Sequence, residues 1–91
     1  MKYRVDIDKK AAKELHRKFS NLEQKRIACA ILSLATDQRP KQSKKLVGLG
    51  GNYRLRVGET RIVYSIDDPS RVVQIHKIKT RGSSTLYMFS V

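Results

Sequence analysis

The sequence predicts an α+β protein in which an N-terminal helical hairpin packs on one face of a single twisted antiparallel sheet, in the order β-α-α-β-β-β. Three observations support this prediction. A tight β-hairpin motif lies in the middle of the chain, two amphipathic helical segments precede it, and strand-like patterns occur near the start and after the hairpin. With 91 residues the chain forms one domain, residues 1–91.

The central hairpin is predicted from residues 53–66, which read YRLRVGETRIVYSI. Gly58-Glu59 is a two-residue loop with glycine first, as in a type II′ turn, and this length places Arg56 opposite Arg61. Because side chains alternate along a strand, one face of the hairpin carries large apolar side chains and the other carries basic side chains. The apolar face carries Tyr53, Leu55, Ile62, Tyr64 and Ile66, and the basic face carries Arg54, Arg56 and Arg61.

The basic face of this hairpin is a candidate anion site. Like charges directly opposed across a strand pair cost up to ~1 kcal/mol, so folding alone does not favour Arg56 opposite Arg61. The planar guanidinium group of arginine matches phosphate geometry well. An arginine-rich but merely solvated surface is the alternative interpretation.

The segments before the hairpin predict a strand and two helices. Residues 2–7 alternate with period two, and Asp8 is placed to cap a helix over residues 9–19. Ser20 and Glu23 have capping-box spacing, so a second helix should begin at once and end before Pro40. The apolar stripe of this helical hairpin is expected to cover the apolar face of the sheet, leaving the arginine face open.

The segments after the second helix predict one irregular stretch, a last long strand and a short tail. Residues 38–51 hold a basic run that includes Lys44 and Lys45. Residues 67–70 form a turn, and residues 71–78 are rich in valine and isoleucine, as a central strand requires. Gly82 interrupts the tail, which should fold Arg81 and Tyr87 over the open face.

Composition favours a polyanion-binding protein. Twenty Lys and Arg against eight Asp and Glu give a net charge of +12, which attracts nucleic acid, ribosomes or acidic proteins. The single cysteine, Cys29, excludes an internal disulfide and a cysteine-based zinc site, and we expect a buried, inert thiol. We expect no metal, no cofactor and no membrane association. The N-terminus has no signal-peptide pattern, so we expect a cytoplasmic protein.

The residues 44–46 (KKL) and 53–68 (YRLRVGETRIVYSIDD), within the β-α-α-β-β-β order, resemble the RelE/ParE superfamily of toxin–antitoxin toxins. The resemblance covers essentially the whole chain and implies a single RelE-like toxin domain. RelE-type toxins are metal-independent ribonucleases that cut the mRNA codon in the ribosomal A site. ParE-type toxins share the fold but poison DNA gyrase and lack the catalytic residues.

The resemblance also implies site residues. The functional positions of RelE-type toxins fall on Arg54, Arg56, Arg61, Arg81 and Tyr87 of this chain, and all five carry suitable side chains. This favours the RelE branch. The best-studied toxins have lysines at the first two positions, and many have histidine where Thr80 stands. Arginine does not deprotonate in proteins, so Arg56 is a poor general base.

In the implied reaction the RNA 2′-OH attacks the adjacent phosphorus and yields a 2′,3′-cyclic phosphate. Arg61 is expected to offset charge on the phosphorane, and Arg81 to act at the leaving oxygen. Phosphate binding is assigned to Arg54, Arg56, Lys44 and Lys45. Tyr87 is expected to stack on a base or orient the 2′-OH, unless it is an ordinary aromatic of the apolar tail.

The proton donor or acceptor is less well defined. Lys77 and Lys79 are candidates, since neighbouring positive charge lowers the pKa of a lysine. His76 is the third candidate because histidine titrates near neutrality, although an ordinary surface or edge histidine is the favoured alternative. Strict alternation places His76 on the opposite face from Lys77 and Lys79, so only one set should point into the cleft.

The sequence thus predicts a type II toxin that is a ribosome-dependent mRNA endoribonuclease. A ParE-like gyrase poison and a non-enzymatic basic RNA-binding module are the alternatives. The expected partners are mRNA, the ribosomal A site and a cognate acidic antitoxin that folds on binding. The last implies a toxin–antitoxin hetero-oligomer.

Overall fold

A central hairpin of β3 (Asn52–Val57) and β4 (Thr60–Asp67) organises the sheet in the computed structural model, which describes residues 2–46 and 51–80. The predicted register is confirmed, with Leu55 paired to Ile62 and Arg56 paired to Arg61. Gly58 has a φ of +61°, a conformation that glycine adopts without steric cost. Glu59 does not share the positive φ, as expected for a type II′ turn.

The remaining elements are β1 (Arg4–Ile7), α1 (Lys9–Lys18), α2 (Asn21–Ser33), β2 (Ser43–Lys45) and β5 (Val72–Thr80). They form a five-stranded sheet in the order β1-β5-β4-β3-β2, so the α+β class is confirmed. The prediction of a wholly antiparallel sheet is wrong, because β1 pairs with β5 in parallel. Strand β2 was not predicted, and it reverses the chain direction once more between α2 and the hairpin. As a result β5 runs parallel to β1 and not antiparallel to it.

Both helices contribute to the core on the apolar face of the hairpin. The capping box that begins α2 is confirmed: the Ser20 hydroxyl accepts from the Glu23 N–H at 3.2 Å, and the Glu23 carboxylate accepts from the Ser20 N–H at 3.0 Å. The buried residues of the core are Ala11, Phe19, Ile27, Ile31, Leu34, Leu55, Ile62, Tyr64, Val73, Ile75 and Ile78. Neither helix is long and apolar enough to span a membrane, within the part of the chain described.

Two local predictions for the helices are wrong. Asp8 precedes α1, but its side chain makes no capping hydrogen bond and reaches β5 instead. Cys29 is exposed, not buried. The buried stripe of α2 follows Ile27 and Ile31, and a residue two positions after Ile27 lies about 200° around the helix, which turns Cys29 towards solvent.

A β-bulge between β4 and β5 changes which residues of β5 face the core. Val63 pairs with Lys77, whereas its neighbour Tyr64 pairs with Ile75, so His76 is an extra residue without a partner. The insertion shifts the alternation by one position. As a result Ile75 and Ile78, three positions apart, both lie buried in the core.

A tyrosine cluster joins the sheet to the loop after α2. Tyr64 is fully buried, its hydroxyl donates to the Gln38 carbonyl at 2.9 Å, and burial raises the pKa of Tyr64. Tyr53 stacks on Tyr64 with 5.7 Å between ring centroids. Arg39 donates to the Tyr53 hydroxyl at 3.1 Å and to Asp68 at 2.9 Å, which ties this loop to the turn before β5.

Replacing Asp68 should give a pH-dependent loss of stability. Hydrogen bonds from the Tyr3 hydroxyl, at 2.7 Å, and from Arg39 hold the pKa of the Asp68 carboxyl below its ordinary value. The folded state therefore favours the ionised carboxylate. The resulting stability is complete above the ordinary aspartate pKa of about 3.9 and is lost as pH falls towards the lower folded value. In urea titrations, Asp68→Asn should be less stable than the parent by a constant margin from pH 5 to 8. The margin should shrink below about pH 4; an equal margin at pH 2.5 and pH 7 would contradict this assignment.

Replacing Arg71 with glycine should stabilise the protein. Arg71 begins the segment predicted as a strand, but it has a φ of +57° and belongs to the turn, so β5 starts at Val72. The left-handed conformation costs an L-residue about 1–2 kcal/mol, part of which the greater unfolded-state freedom of glycine cancels. We expect Arg71→Gly to raise the free energy of unfolding by up to ~1 kcal/mol. Ser70→Gly, at a neighbouring position without positive φ, is the control and should lower it.

Candidate anion-binding cleft

Two rows of positively charged side chains cross the open face of the sheet. One row runs through paired residues of four strands, Lys44, Arg54, Val63 and Lys77, and the next consists of Arg56, Arg61 and Lys79. Directly paired residues share a face, so the six basic residues of these rows form one surface, here called the cation face. Val63 is the single apolar residue among these seven paired positions.

Within the described part of the chain, no carboxylate is paired with the cation face. Among residues 2–46 and 51–80 the ion pairs are Arg4–Asp6, Arg39–Asp68 and Asp8–His76, none of which involves the cation face. Arg61 has Arg56 on one side and Lys79 on the other, and like charges placed in this way are mutually destabilising. A face that costs stability without an internal counter-charge is suited to an external anion.

A cleft of about 820 Å³ lies on this face. Arg54, Arg61, Lys77 and Lys79 line it, with Val63 between them. Lys9 and Lys10, at the start of α1, also line the cleft, and the sequence analysis did not identify them. Nothing in their own segment indicates this position, because it depends on β1 lying beside β5.

The prediction that His76 faces away from Lys77 and Lys79 is wrong. All three side chains line the same cleft. The β-bulge is the reason: the extra residue breaks the alternation, so His76 and Lys77 both point to the open face. The three candidates for proton transfer therefore occupy one site.

The two lysines of β2 do not share a face. Lys44 pairs with Arg54 and belongs to the cation face, whereas Lys45 pairs with Tyr53. Adjacent residues of a strand point to opposite sides, so Lys45 lies on the side of Tyr53 and Leu55. The grouping of Lys45 with the phosphate-binding residues is therefore not supported by the register.

A hydrogen-bond network lies at the end of the cleft nearest β1. The Asp8 carboxylate accepts from the Gln74 amide and from His76 Nδ1, the latter at 3.3 Å, and His76 Nε2 is 2.8 Å from the Ser65 hydroxyl. The hydrogen bond from Gln74, and then that from His76, holds the pKa of the Asp8 carboxyl below its ordinary value. Sequence reasoning missed this network, because Asp8 is 68 residues from His76 and meets it only through the parallel pairing of β1 with β5.

The remaining candidate residues, Arg81 and Tyr87, lie outside the described residues, and their roles stay predictions. No group of three or more His, Cys, Asp or Glu side chains within residues 2–46 and 51–80 is arranged to hold a metal ion. The side chains that converge here are cationic and suit an anion.

Comparisons with known proteins find similarity to toxins of type II toxin–antitoxin systems. The family profile described as the ParE toxin of the type II toxin–antitoxin system parDE matches residues 5–84. The archaeal RelE–RelB complex from Pyrococcus horikoshii OT3 contains a similar chain, with 32% identity and a TM-score of 0.79 over 90% of this chain and 98% of that one. A comparison with curated protein sequences returned no match.

Two further solved structures are similar. The toxin–antitoxin complex RelBE2 from Mycobacterium tuberculosis gives 26% identity and a TM-score of 0.77, covering 89% of this chain and 100% of that one. An E. coli RelE mutant in complex with an antitoxin RelBc peptide gives 27% identity and a TM-score of 0.73, covering 100% and 96%. The resemblance read from the sequence is thereby confirmed at the level of the superfamily.

Proposed function

We propose that this chain, which belongs to the ParE toxin family of type II toxin–antitoxin systems within the RelE/ParE superfamily, is a RelE-type toxin that cuts mRNA on the ribosome. The observation that carries the proposal is the cation face. Four of its six basic residues, Arg54, Arg61, Lys77 and Lys79, line one cleft. Within residues 2–46 and 51–80 none of the six is paired with a carboxylate, which suits the binding of an RNA backbone. A gyrase-binding toxin of the same fold needs no such cleft.

The proposed reaction is cleavage of the codon in the ribosomal A site without a metal ion. The 2′-OH attacks the adjacent phosphorus, giving a 2′,3′-cyclic phosphate and a 5′-OH. The phosphorane carries more negative charge than the substrate, and donors already in place around it stabilise the transition state selectively. This places the toxin with translating ribosomes in the cytoplasm.

Arg61 is the residue we assign to the phosphorane. It is half-buried at the centre of its row, between Arg56 and Lys79, so its position is more restricted than that of an exposed arginine. Arg54, Arg56 and Lys44 are assigned to the scissile and flanking phosphates. Arg81 and Tyr87 keep their proposed roles, at the leaving oxygen and at a base or the 2′-OH.

Three groups in the cleft can transfer protons: His76, Lys77 and Lys79. The reaction needs one group to accept the 2′-OH proton and one to donate to the 5′ oxygen. Because the three lie at different points along one strand, a phosphate placed between two of them would have an acid on one side and a base on the other.

The decisive experiment for this proposal is primer extension on a defined message after brief expression of the chain. We expect new 5′ ends inside the codons of messages that ribosomes are translating. The matched control is Arg54→Ala combined with Arg61→Ala, which should abolish these ends. Absence of cleavage inside codons by the expressed parent protein would contradict the proposal.

Naked RNA provides a second test. The ribosome is proposed to supply part of the orientation of the substrate, so purified toxin should cut a free oligonucleotide slowly or not at all. Addition of programmed ribosomes should restore cleavage of the same sequence. Rapid cleavage of the free oligonucleotide would show a nuclease that does not depend on the ribosome.

A ParE-like gyrase poison is the second candidate, because the matching family profile bears that description. Supercoiling assays with purified gyrase distinguish the two. We expect no inhibition and no trapped cleavage complexes. Inhibition of gyrase, together with intact mRNA, would establish the second candidate.

We also propose an acidic antitoxin as the partner, since the similar structures include complexes with an antitoxin. A chain of net charge +12 would otherwise bind RNA indiscriminately. A segment of the antitoxin could fold over Arg54, Arg56 and Arg61, or it could displace the toxin tail that carries Arg81 and Tyr87. Structures of the free toxin and of the hetero-oligomer decide between these routes: an unmoved Tyr87 beneath a covered cation face would indicate direct blocking.

A further inference from the structure

We propose that Asp8 and His76 form a proton relay in which His76 is the general base of the cleft and Asp8 is its positioning residue, with the Ser65 hydroxyl at His76 Nε2 until a substrate replaces it. The inference rests on the proposed function and assigns the one role that the arginines cannot fill, because arginine does not give up its proton. It comes from a network that joins β1, β4 and β5 at the β-bulge.

Hydrogen-bond chemistry determines which nitrogen of His76 carries the proton. An ionised carboxylate can only accept, so the 3.3 Å contact with Asp8 requires the proton on Nδ1. In the neutral ring Nε2 is then an acceptor, and the Ser65 hydroxyl, 2.8 Å away, donates to it. The unprotonated nitrogen is therefore the one held against a hydroxyl group, as a general base must be.

Asp8 is itself held in place. The Gln74 amide donates to its other carboxylate oxygen, so both oxygens are engaged and the carboxylate is oriented towards the ring. Since an imidazolium ion forms when His76 takes up a proton, an adjacent ionised carboxylate stabilises it. Asp8 has this position because β1 runs parallel to β5 and ends beside Ile75.

The relay is accessible from the cleft. The His76 side chain is 34% exposed and lines the cleft together with Asp8. A substrate 2′-OH can replace the Ser65 hydroxyl at Nε2, exchanging one hydroxyl donor for another.

The proton balance uses groups of the same strand. His76 Nε2 takes the proton of the 2′-OH as the O2′–P bond forms. The P–O5′ bond breaks, and the Lys79 ammonium group gives a proton to O5′. His76 and Lys79 are three positions apart, at most about 10 Å along a strand, which leaves room for one phosphate over Val63 between them. Solvent then returns the proton from His76 to Lys79.

Other charged groups face the same space and would influence the titration. They are Lys9 and Lys10 from α1, Arg54 from β3, Arg61 from β4, and Lys77 and Lys79 from β5, with Asp8 as the acidic member. Asp8 is therefore expected to matter more to rate than to RNA binding.

The test is single-turnover cleavage on programmed ribosomes between pH 5 and 8, the range in which histidine changes charge. The parent rate should rise with pH, as expected for a base that must be neutral. His76→Gln keeps hydrogen bonding but cannot accept the proton, and it should lower the rate by about 10²-fold or more and remove the rising limb. His16→Gln, at an exposed position of α1, is the histidine control and should behave like the parent.

Two further variants test whether His76 acts as a general base or only supports the structure of the cleft. His76→Ala should regain part of its rate when imidazole is added to the buffer, which a purely structural loss would not allow. Asp8→Asn should lower the maximal rate by about 10-fold or more with little change in ribosome binding, whereas Asp6→Asn, at a residue of β1 outside the network, should not. Nitrogen-15 NMR of the free toxin should show His76 with Nδ1 protonated and Nε2 bare.

The outcomes distinguish this inference from the proposed function. Parent protein that cuts no codons contradicts the proposed function itself. If the parent cuts but His76→Gln retains both its rate and its pH dependence, the relay is overturned and the endoribonuclease assignment stands. A ring protonated on Nε2 in the NMR spectra, or a His76→Ala variant that imidazole fails to rescue, would likewise overturn it.

Discussion

Cells that express Arg61→Ala should continue to grow, whereas cells that express the parent chain should stop. Arg61 lies between Arg56 and Lys79 in the cleft, where we assign it to the charge that develops on phosphorus. Removal of one preorganised donor of this kind typically lowers the catalytic rate by about 10²–10³-fold. The measurement is growth after induction, followed by single-turnover cleavage on programmed ribosomes.

The controls for Arg61→Ala remove the same charge elsewhere. Lys18→Ala and Lys41→Ala each delete one exposed positive charge outside the cation face, and both should arrest growth as the parent does. Arg61→Ala should also fold, with unchanged or slightly higher stability, because it relieves repulsion from two cationic neighbours. If Lys18→Ala lost toxicity to the same extent, bulk charge would be responsible and the assignment of Arg61 would be wrong.

The largest loss of stability is expected for Ile62→Ala. Ile62 is fully buried in β4, between Leu55 of β3 and Ile78 of β5. Truncation removes buried apolar surface and leaves a cavity in the middle of the sheet, at a cost of about 2–5 kcal/mol. This is a large part of the total stability of a small domain. Urea denaturation followed by circular dichroism measures it, with an unchanged m value as the sign that two-state unfolding persists.

The next residue is the matched control for this stability measurement. Val63 points to the opposite face, where it is half-buried in the cleft, and Val63→Ala should cost only ~1 kcal/mol. The contrast between the two adjacent positions tests the assignment of faces directly. Equal losses at both positions would mean that the cleft side of β4 is as well packed as the core side.

Several features of the fold could be predicted because they depend on residues close together in the chain. The Gly58-Glu59 loop determines the hairpin register by its length, and the register places Arg56 beside Arg61. The capping box of α2 spans four residues and is likewise local. The basic character of the open face, with Arg54 as a further member, followed from the hairpin register and from side-chain alternation.

Other features depended on contacts between distant segments, and sequence patterns could not reveal them. Asp8 has the sequence of a helix cap, yet its carboxylate binds Gln74 and His76, which are available only because β1 docks parallel to β5. The departure of β5 from regular side-chain alternation also depends on contacts between distant segments. A prediction from strand alternation assumes regular pairing. The β-bulge inserts one unpaired residue, His76, which allows both Ile75 and Ile78 to pack in the core.

The sequence by itself therefore determined the superfamily, the α+β class, the central hairpin and the basic character of its open face. The tertiary structure decided that Lys45 leaves this face, that His76 joins it, and that the Asp8 carboxylate meets the His76 ring. The physical reason is the range of the interactions. Turn chemistry and side-chain alternation act within a few residues, whereas the direction of an edge strand and the position of a bulge follow from the packing of the whole sheet.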